Sequence, residues 1–370
     1  MEMKKILTGT MAFAAVLGGC TDIERDKTGG IVPATGDRLY ILNEGQMGMN
    51  NATIDFYDFS DGSYTSDAFT AANPDVAFEL GDTGNDIAIH DGKLWAVING
   101  SGLVEIMDAA TLKHIKYIEI PTPRDIAFCG DYAYVTSWSG AYYGGENRLG
   151  AVYRIDINSL SEAGSIDVGY QPEGIAAAEG KIYVANSGGV TAGYDNRLSI
   201  IDADSFTLER NVEIAANICD IAVDGSGLLW ISSPGDYTSV HSGIYTFNPT
   251  TGKVSSKDIR VSSMYSNGSL IYILGNENEW DYTPGSGMYV LTVIDQEGGT
   301  VARTVLDDSG AAEIEVPYGI WASNDGGTIF ISDSGDYINP GTVYMLDSSL
   351  KLVRTFSAGV IPGHFAFLPV

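Results

Sequence analysis

The stretch Leu39–Phe59, "LYILNEGQMGMNNATIDFYDF", decides how the chain is read. It gives an apolar strand, a long polar loop (Asn43–Ala52) and a second strand. It reads as the middle of a sheet rather than its beginning, yet nothing strand-like precedes Leu39. The partner is expected at the opposite end of the chain, in "PGHFAFLPV" (Pro362–Val370).

From Leu39 onward, runs rich in Ile, Val, Tyr and Trp alternate with Gly, Asn, Asp and Ser turns, an all-β pattern. Seven segments begin alike: "GNDIAIHDGKLWAVI", "PRDIAFCGDYAYVTS", "PEGIAAAEGKIYVAN", "ICDIAVDGSGLLWIS", "SSMYSNGSLIYIL", "PYGIWASNDGGTIFIS" and "PGHFAFLPV". Each has a small or polar anchor before an apolar strand, at Asp86, Asp125, Gly174, Asp220, Ser263, Gly319 and His364. The anchors are spaced by 39, 49, 46, 43, 56 and 45 residues. Third and fourth strands follow, as in "LVEIMDAAT" and "HIKYIEIP". Four strands per unit at this spacing predict a seven-bladed β-propeller. The last anchor has only its first strand left, while Leu39–Phe59 and Ser63–Phe69 supply strands two to four. One blade is therefore shared between the two ends of the chain.

The start of the chain reads differently. Lys4 and Lys5 precede an apolar run (Ile6–Leu17), and Leu17-Gly18-Gly19-Cys20 ends it. This resembles a bacterial lipoprotein signal, with Cys20 as the lipidated first residue. The expected division is a signal over 1–19, a lipidated tether over 20–36 and the propeller over 37–370. Asp22, Glu24 and Asp26 in the tether resemble the acidic segments that send some lipoproteins to the cell surface. Without 1–19 the chain has 18 basic against 47 acidic side chains, a charge of −29. Such a balance argues against nucleic acid, which needs a basic footprint. Contact with a membrane is expected through the lipid alone. Cys129 and Cys219 fall in non-adjacent blades and are expected to be separate thiols.

Loops between second and third strands lie on the face where each first strand begins. They carry the irregular residues, whereas the opposite face has tight turns such as "HDGK" and "AEGK". A binding surface on a rigid scaffold has this distribution. "GAYYGGEN", "AGYDN", "GDYTS", "WDYTP" and "GDYIN" place tyrosine beside acids, Asn and Gly. Tyr142, Tyr143, Tyr194, Tyr237, Tyr282 and Tyr337, with Trp138 and Trp280, are candidate ligand contacts. Such rings offer apolar area with a polar edge, although each could instead hook one loop onto the next blade. Arg148 and Arg197, in "ENRLG" and "DNRLS", could receive an anion or pair with a neighbouring acid. Arg124, Tyr170, Asn217 and Tyr318 should line the same mouth, made acidic by Glu44, Glu277, Glu279, Asp281, Asp333 and Asp336. No catalytic triad or metal-ligand spacing emerges. His364 could ligate a metal or be hydrogen-bonded on its inner strand, and "SDSGDYINPG" could hold calcium through Asp333, Asp336 and Asn339.

The text "P-x-G-I-A", "IYVANSGG" and "LSIIDADSFTLERNVEI" resembles the YVTN/YncE group of propellers. With the lipoprotein start, "LYILNEG" and the Tyr-rich loops, the chain further resembles the BtuG-type cobalamin-binding surface lipoproteins. That resemblance implies a non-enzymatic protein on the outer membrane that captures cobalamin (vitamin B12) and hands it to a BtuB-like TonB-dependent transporter. Two alternatives stay open, a glycan-binding surface lipoprotein and a metal-dependent propeller hydrolase or lyase. The first would use Tyr and Trp platforms beside carboxylates. The second would need ligands converging on the central channel.

Overall fold

The computed structural model describes residues 34, 36–76, 79–139, 148–189, 193–280, 287–306 and 314–370. Within them, seven four-stranded antiparallel sheets form a seven-bladed β-propeller. Blade 1 joins the two ends of the chain in the order Pro362–Leu368, Arg38–Asn43, Thr53–Asp58, Tyr64–Thr65. Leu39 pairs with Phe367 on one side and Tyr57 on the other, so the partner sought for the opening stretch is the C-terminal strand. The inner strands of blades 2 to 7 are Gly84–His90, Pro123–Cys129, Pro172–Ala178, Ile221–Val223, Ser263–Ser266 and Pro317–Ala322.

The second strand of each blade is a nearly continuous buried run, such as "LYILN" or "KLWAVI", because both of its faces meet a neighbouring blade. Leu42, Ile54 and Phe56 of blade 1 pack with Leu94, Ala96 and Met107 of blade 2. Each such side chain contributes roughly 2 kcal/mol when fully buried. Leu42→Asp would break this seam. The seam between blades 7 and 1 is aromatic. Trp321 stacks on Phe367 with ring centroids 5.3 Å apart, and Tyr57 meets Phe330 and Phe356. Within blade 1, the buried Arg38–Asp58 pair at 2.9 Å ties the second strand to the third.

The fourth strand of blade 1 departs from the expectation over Ser63–Phe69. It is only Tyr64–Thr65, after which the chain forms a short helix, Ala68–Ala72. The cause is Asp55. Its buried carboxylate accepts the Tyr64 hydroxyl at 2.9 Å and the Asp67 N–H at 2.8 Å, with Asp67 in the left-handed region. That bend ends the strand, and the helix-favouring "AFTAA" then places Phe69 and Ala72 in the core.

Cys129 and Cys219 are both free thiols. No helix among the described residues is long and apolar enough to cross a membrane.

Candidate functional site

The inner strands converge at the axis, and their first residues wall a funnel of about 680 Å³. In blades 2, 3, 4 and 7 the pairing register slips at these residues, between Gly84 and Asp86, Pro123 and Ile126, Pro172 and Ile175, and Pro317 and Ile320. A slip of this kind re-aims side chains out of the pleat. It turns Asn85 and Asp86, Arg124 and Asp125, Glu173, and Tyr318 toward the axis, where they meet Cys219, Asp220, His364 and Glu44. In blades 3, 5 and 7 a hydroxyl from the second strand holds the backbone at the head of the inner strand. Thr136 accepts the Asp125 N–H at 3.1 Å, Ser232 that of Asp220 at 2.9 Å and Ser332 that of Gly319 at 2.8 Å.

The wall is wired from blade to blade. Asp125 accepts the N–H of Ile175 at 2.9 Å, and the N–H of Ile126 lies 3.3 Å from Asp86 and 2.6 Å from Asp125. Arg124 donates to Glu173 at 2.7 Å and Asn85 at 2.6 Å, joining blades 2, 3 and 4. Trp138 covers its guanidinium, 4.5 Å from the ring centre. His364 sits between Glu44, at 3.2 Å, and Asp86, at 3.9 Å.

Burial pushes the Asp125 carboxyl well up, and the charge of neighbouring Asp86 adds to it. Glu173 and Asp220 are also raised by burial, against the pull of Arg124 on the first and His364 on the second. Asp220 nevertheless remains accessible to solvent, so the funnel is a narrow wet space rather than a dry core. Burial works against the His364 imidazolium, but Glu44, Asp86 and Asp220 more than offset it and raise its titration. The Cys219 thiol is pushed well up by burial and by Glu173 and Asp220, which suppresses the nucleophilic thiolate.

Above the wall, two loops repeat one device. In Gly235-Asp236-Tyr237 and Gly335-Asp336-Tyr337 the glycine and the tyrosine all have positive φ. The aspartate between them caps following N–H groups, those of Thr238, Ser239 and Val240 in one loop and of Ile338 and Asn339 in the other. The cap turns the tyrosines outward, leaving Tyr237 54% and Tyr337 45% exposed. Asn217, expected at the mouth, is buried and supports the first turn through the Gly235 carbonyl at 2.9 Å. Trp280, 36% exposed, stacks on His241 with ring centroids 3.6 Å apart. Tyr237, Trp280 and Tyr318 line the same funnel.

The remaining candidates divide. Tyr318 meets Tyr337 edge to face, and burial together with Glu44 raises its phenol well above the usual range. Tyr194 donates to the Asp236 carbonyl at 3.3 Å, the hook arrangement. Arg197 is paired to Asp195 through two contacts, at 2.7 and 2.5 Å, with Tyr170 beside it. Its charge is thus spent locally, the second of the two roles considered for it. Arg148 is exposed. Asp333 accepts the N–H groups of Glu315 and Val316, and Asp336 those of its own turn, so both carboxylates are engaged in loop structure. Tyr142, Tyr143, Tyr282, Asp281 and Cys20 lie outside the described residues. Among the described residues no three His, Cys, Asp or Glu side chains come together as a metal-holding group.

Asn85, Asp86, Asp125, Glu173 and Asp220 are wall residues that the loop-centred sequence reading left out. The signal was present. Asp86, Asp125 and Asp220 are themselves anchors, Asn85 and Glu173 each sit beside one at the head of an inner strand, and every such head in a propeller faces the axis. Chemically, the site combines an aromatic rim with a wall of hydrogen-bond acceptors, suited to ligands rich in N–H or O–H donors.

The chain belongs to the family described as Domain of unknown function (DUF5074), whose model matches residues 37–232. No curated protein matches the sequence. Among solved structures it is similar to the periplasmic gluconolactonase PpgL of Pseudomonas aeruginosa, at 12% identity and a TM-score of 0.62 over 90% of this chain and 99% of that one. A hydrazine synthase chain of Kuenenia stuttgartiensis aligns at 18% identity and a TM-score of 0.60, over 76% of this chain and 88% of that one. A quinonprotein alcohol dehydrogenase-like protein of Bacteroides thetaiotaomicron aligns at 13% and 0.59, over 90% and 78%. Likeness at this level of identity establishes the propeller fold.

Proposed function

We propose that this DUF5074-family propeller is a non-catalytic surface lipoprotein, anchored through Cys20, that captures cobalamin on its loop-rich face and passes it to an outer-membrane TonB-dependent transporter. The observation that carries the reading is the outward-facing rim of Tyr237, Tyr337 and Trp280 above the acceptor-lined funnel. Cobalamin is a broad plate with apolar faces and a fringe of amides. Aromatic rings suit the faces, and carboxylates and backbone carbonyls suit the amide N–H groups. Of the two loop arginines, Arg148 is the one whose exposure leaves it available to the nucleotide phosphate, since Asp195 holds Arg197. Rigid capped turns lose little entropy on capture, which favours tight binding.

Calorimetric titration of the mature chain, carrying Cys20→Ser to prevent lipidation, with cyanocobalamin tests the proposal. Saturation at one equivalent with nanomolar affinity is the expected result. Absence of heat and of any corrinoid spectral change would remove the assignment. A second reading, glycan capture, is favoured by the Trp280–His241 stack, which is flanked by Glu279 as a sugar platform would be. Retarded migration in polysaccharide-containing gels, without cobalamin binding, would select it.

A further inference from the structure

We propose that Glu44, His364, Asp86 and Asp125 act as one proton-sharing unit on the funnel wall, and that a ligand seated there is bound together with proton uptake onto that unit. This deepens the capture reading and rests on it. The four groups come from three consecutive blades and are joined by geometry. The His364 ring lies 3.2 Å from Glu44 through Nε2 and 3.9 Å from Asp86 through Nδ1. Asp86 and Asp125 both approach the single N–H of Ile126. Two carboxylates sharing one donor in a confined space repel each other when both are ionised, and a proton held between them relieves that repulsion.

The surroundings determine the direction of the exchange. From blade 3, Arg124 brings the funnel's fixed positive charge, but its hydrogen bonds go to Glu173 and Asn85. From blade 5, Asp220 adds negative charge facing His364, with Cys219 beside it. From blade 7, Tyr318 stands against Glu44 as a neutral phenol. Carboxylates therefore outnumber the cations that could balance them. A ligand filling the funnel displaces water from those carboxylates, and loss of water favours their neutral form. The proton comes from the buffer and goes to a carboxylate oxygen of the unit, with no bond made or broken in the ligand. Binding should then tighten as the pH falls, by about tenfold per pH unit if one whole proton is taken up.

The test is titration of the same Cys20→Ser chain with cyanocobalamin near neutral pH in two buffers of different ionisation heat, phosphate and Tris. The expected result is a binding heat that differs between them in the sense of proton uptake, and a difference at least halved in Asp125→Asn. Equal heats in the two buffers, with binding intact, would overturn the proposal and leave the capture reading standing. Should cyanocobalamin give no heat at any pH, the capture reading fails and the ligand-free protein decides the unit's existence. By NMR, the His364 imidazolium is expected to titrate at lower pH in Glu44→Gln, because Glu44 is the chief group favouring its cation. An unchanged midpoint would overturn the proposal by that route.

Discussion

Two pairs of the same chemistry sit in different parts of this molecule. Glu105 and His114, on the third and fourth strands of blade 2, meet at 2.5 Å, with the Glu105 side chain 1% exposed. Glu44 and His364 meet at 3.2 Å on the funnel wall, with 15% and 32% exposed. In the blade, burial dominates and pushes the Glu105 carboxyl up to about 7 despite the pull of His114. In the funnel, the imidazole is raised instead, because Asp86 and Asp220 join Glu44 in favouring its cation. One pair is a burden that a dry blade carries. The other belongs to a wet, negatively charged wall where protons can be exchanged. Environment, rather than residue type, separates a structural pair from a functional one.

The largest effect expected is on the wall itself. Arg124→Ala strips Glu173 of its cation and uncovers Trp138, and should cost about 3 kcal/mol, since the pair is mostly buried and its loss strands the carboxylate's charge. Urea denaturation measures this, and a loss well under 1 kcal/mol would mean that funnel water solvates Glu173 freely.

Next comes Glu105→Gln. The unfolded chain releases this proton near the ordinary 4.5, whereas the folded chain releases it near 7. Between those values the folded state binds more protons. The contribution is therefore present at low pH and lost as pH rises toward 7. At alkaline pH, Glu105→Gln should be more stable than the wild type by about 2–3 kcal/mol, with a flatter stability–pH profile between them. Parallel profiles would place the Glu105 proton elsewhere and dissolve the contrast between the two pairs.

Smaller effects belong to the rim. Tyr237→Gly relieves a positive-φ tyrosine and should stabilise the protein by about 0.5–1 kcal/mol while weakening cyanocobalamin binding. A loss of stability instead would make Tyr237 a packing residue. Smallest of all, Glu44→Gln should change stability by less than about 1 kcal/mol, because its partner His364, unlike the arginine beside Glu173, is 32% exposed and can give up its proton. Thermal unfolding at neutral pH is sufficient to check this.

The fold was legible because each blade restates it locally: a polar or small anchor, an apolar run, a turn and an aromatic strand. The shared turn of two loop tyrosines was legible too, since "GDY" recurs and Tyr237 and Tyr337 are displayed by the same capped turn. What was harder to read is which polar residues meet. Asp86, Asp125 and Asp220 were recognised as anchors that align the repeat, yet their meeting on one wall follows only when the ring closes. For Arg197 the sequence left open an anion or a neighbouring acid, and the structure pairs it with Asp195, two residues away.

By itself, then, the sequence determined the number of blades, the sharing of one blade between the chain ends and the face on which the long loops lie. Strand periodicity and turn chemistry are local properties, and a propeller repeats one four-stranded sheet whose open edges are short. Tertiary structure alone decided which charged groups meet on the wall, the tying of Arg124 into three blades and the replacement of most of a strand by the Ala68–Ala72 helix. Those outcomes depend on distances between residues from 9 positions apart, as Tyr64 and Asp55, to 320, as His364 and Glu44, and on how much water the closed ring leaves around each carboxylate. Neither quantity exists until the blades have met.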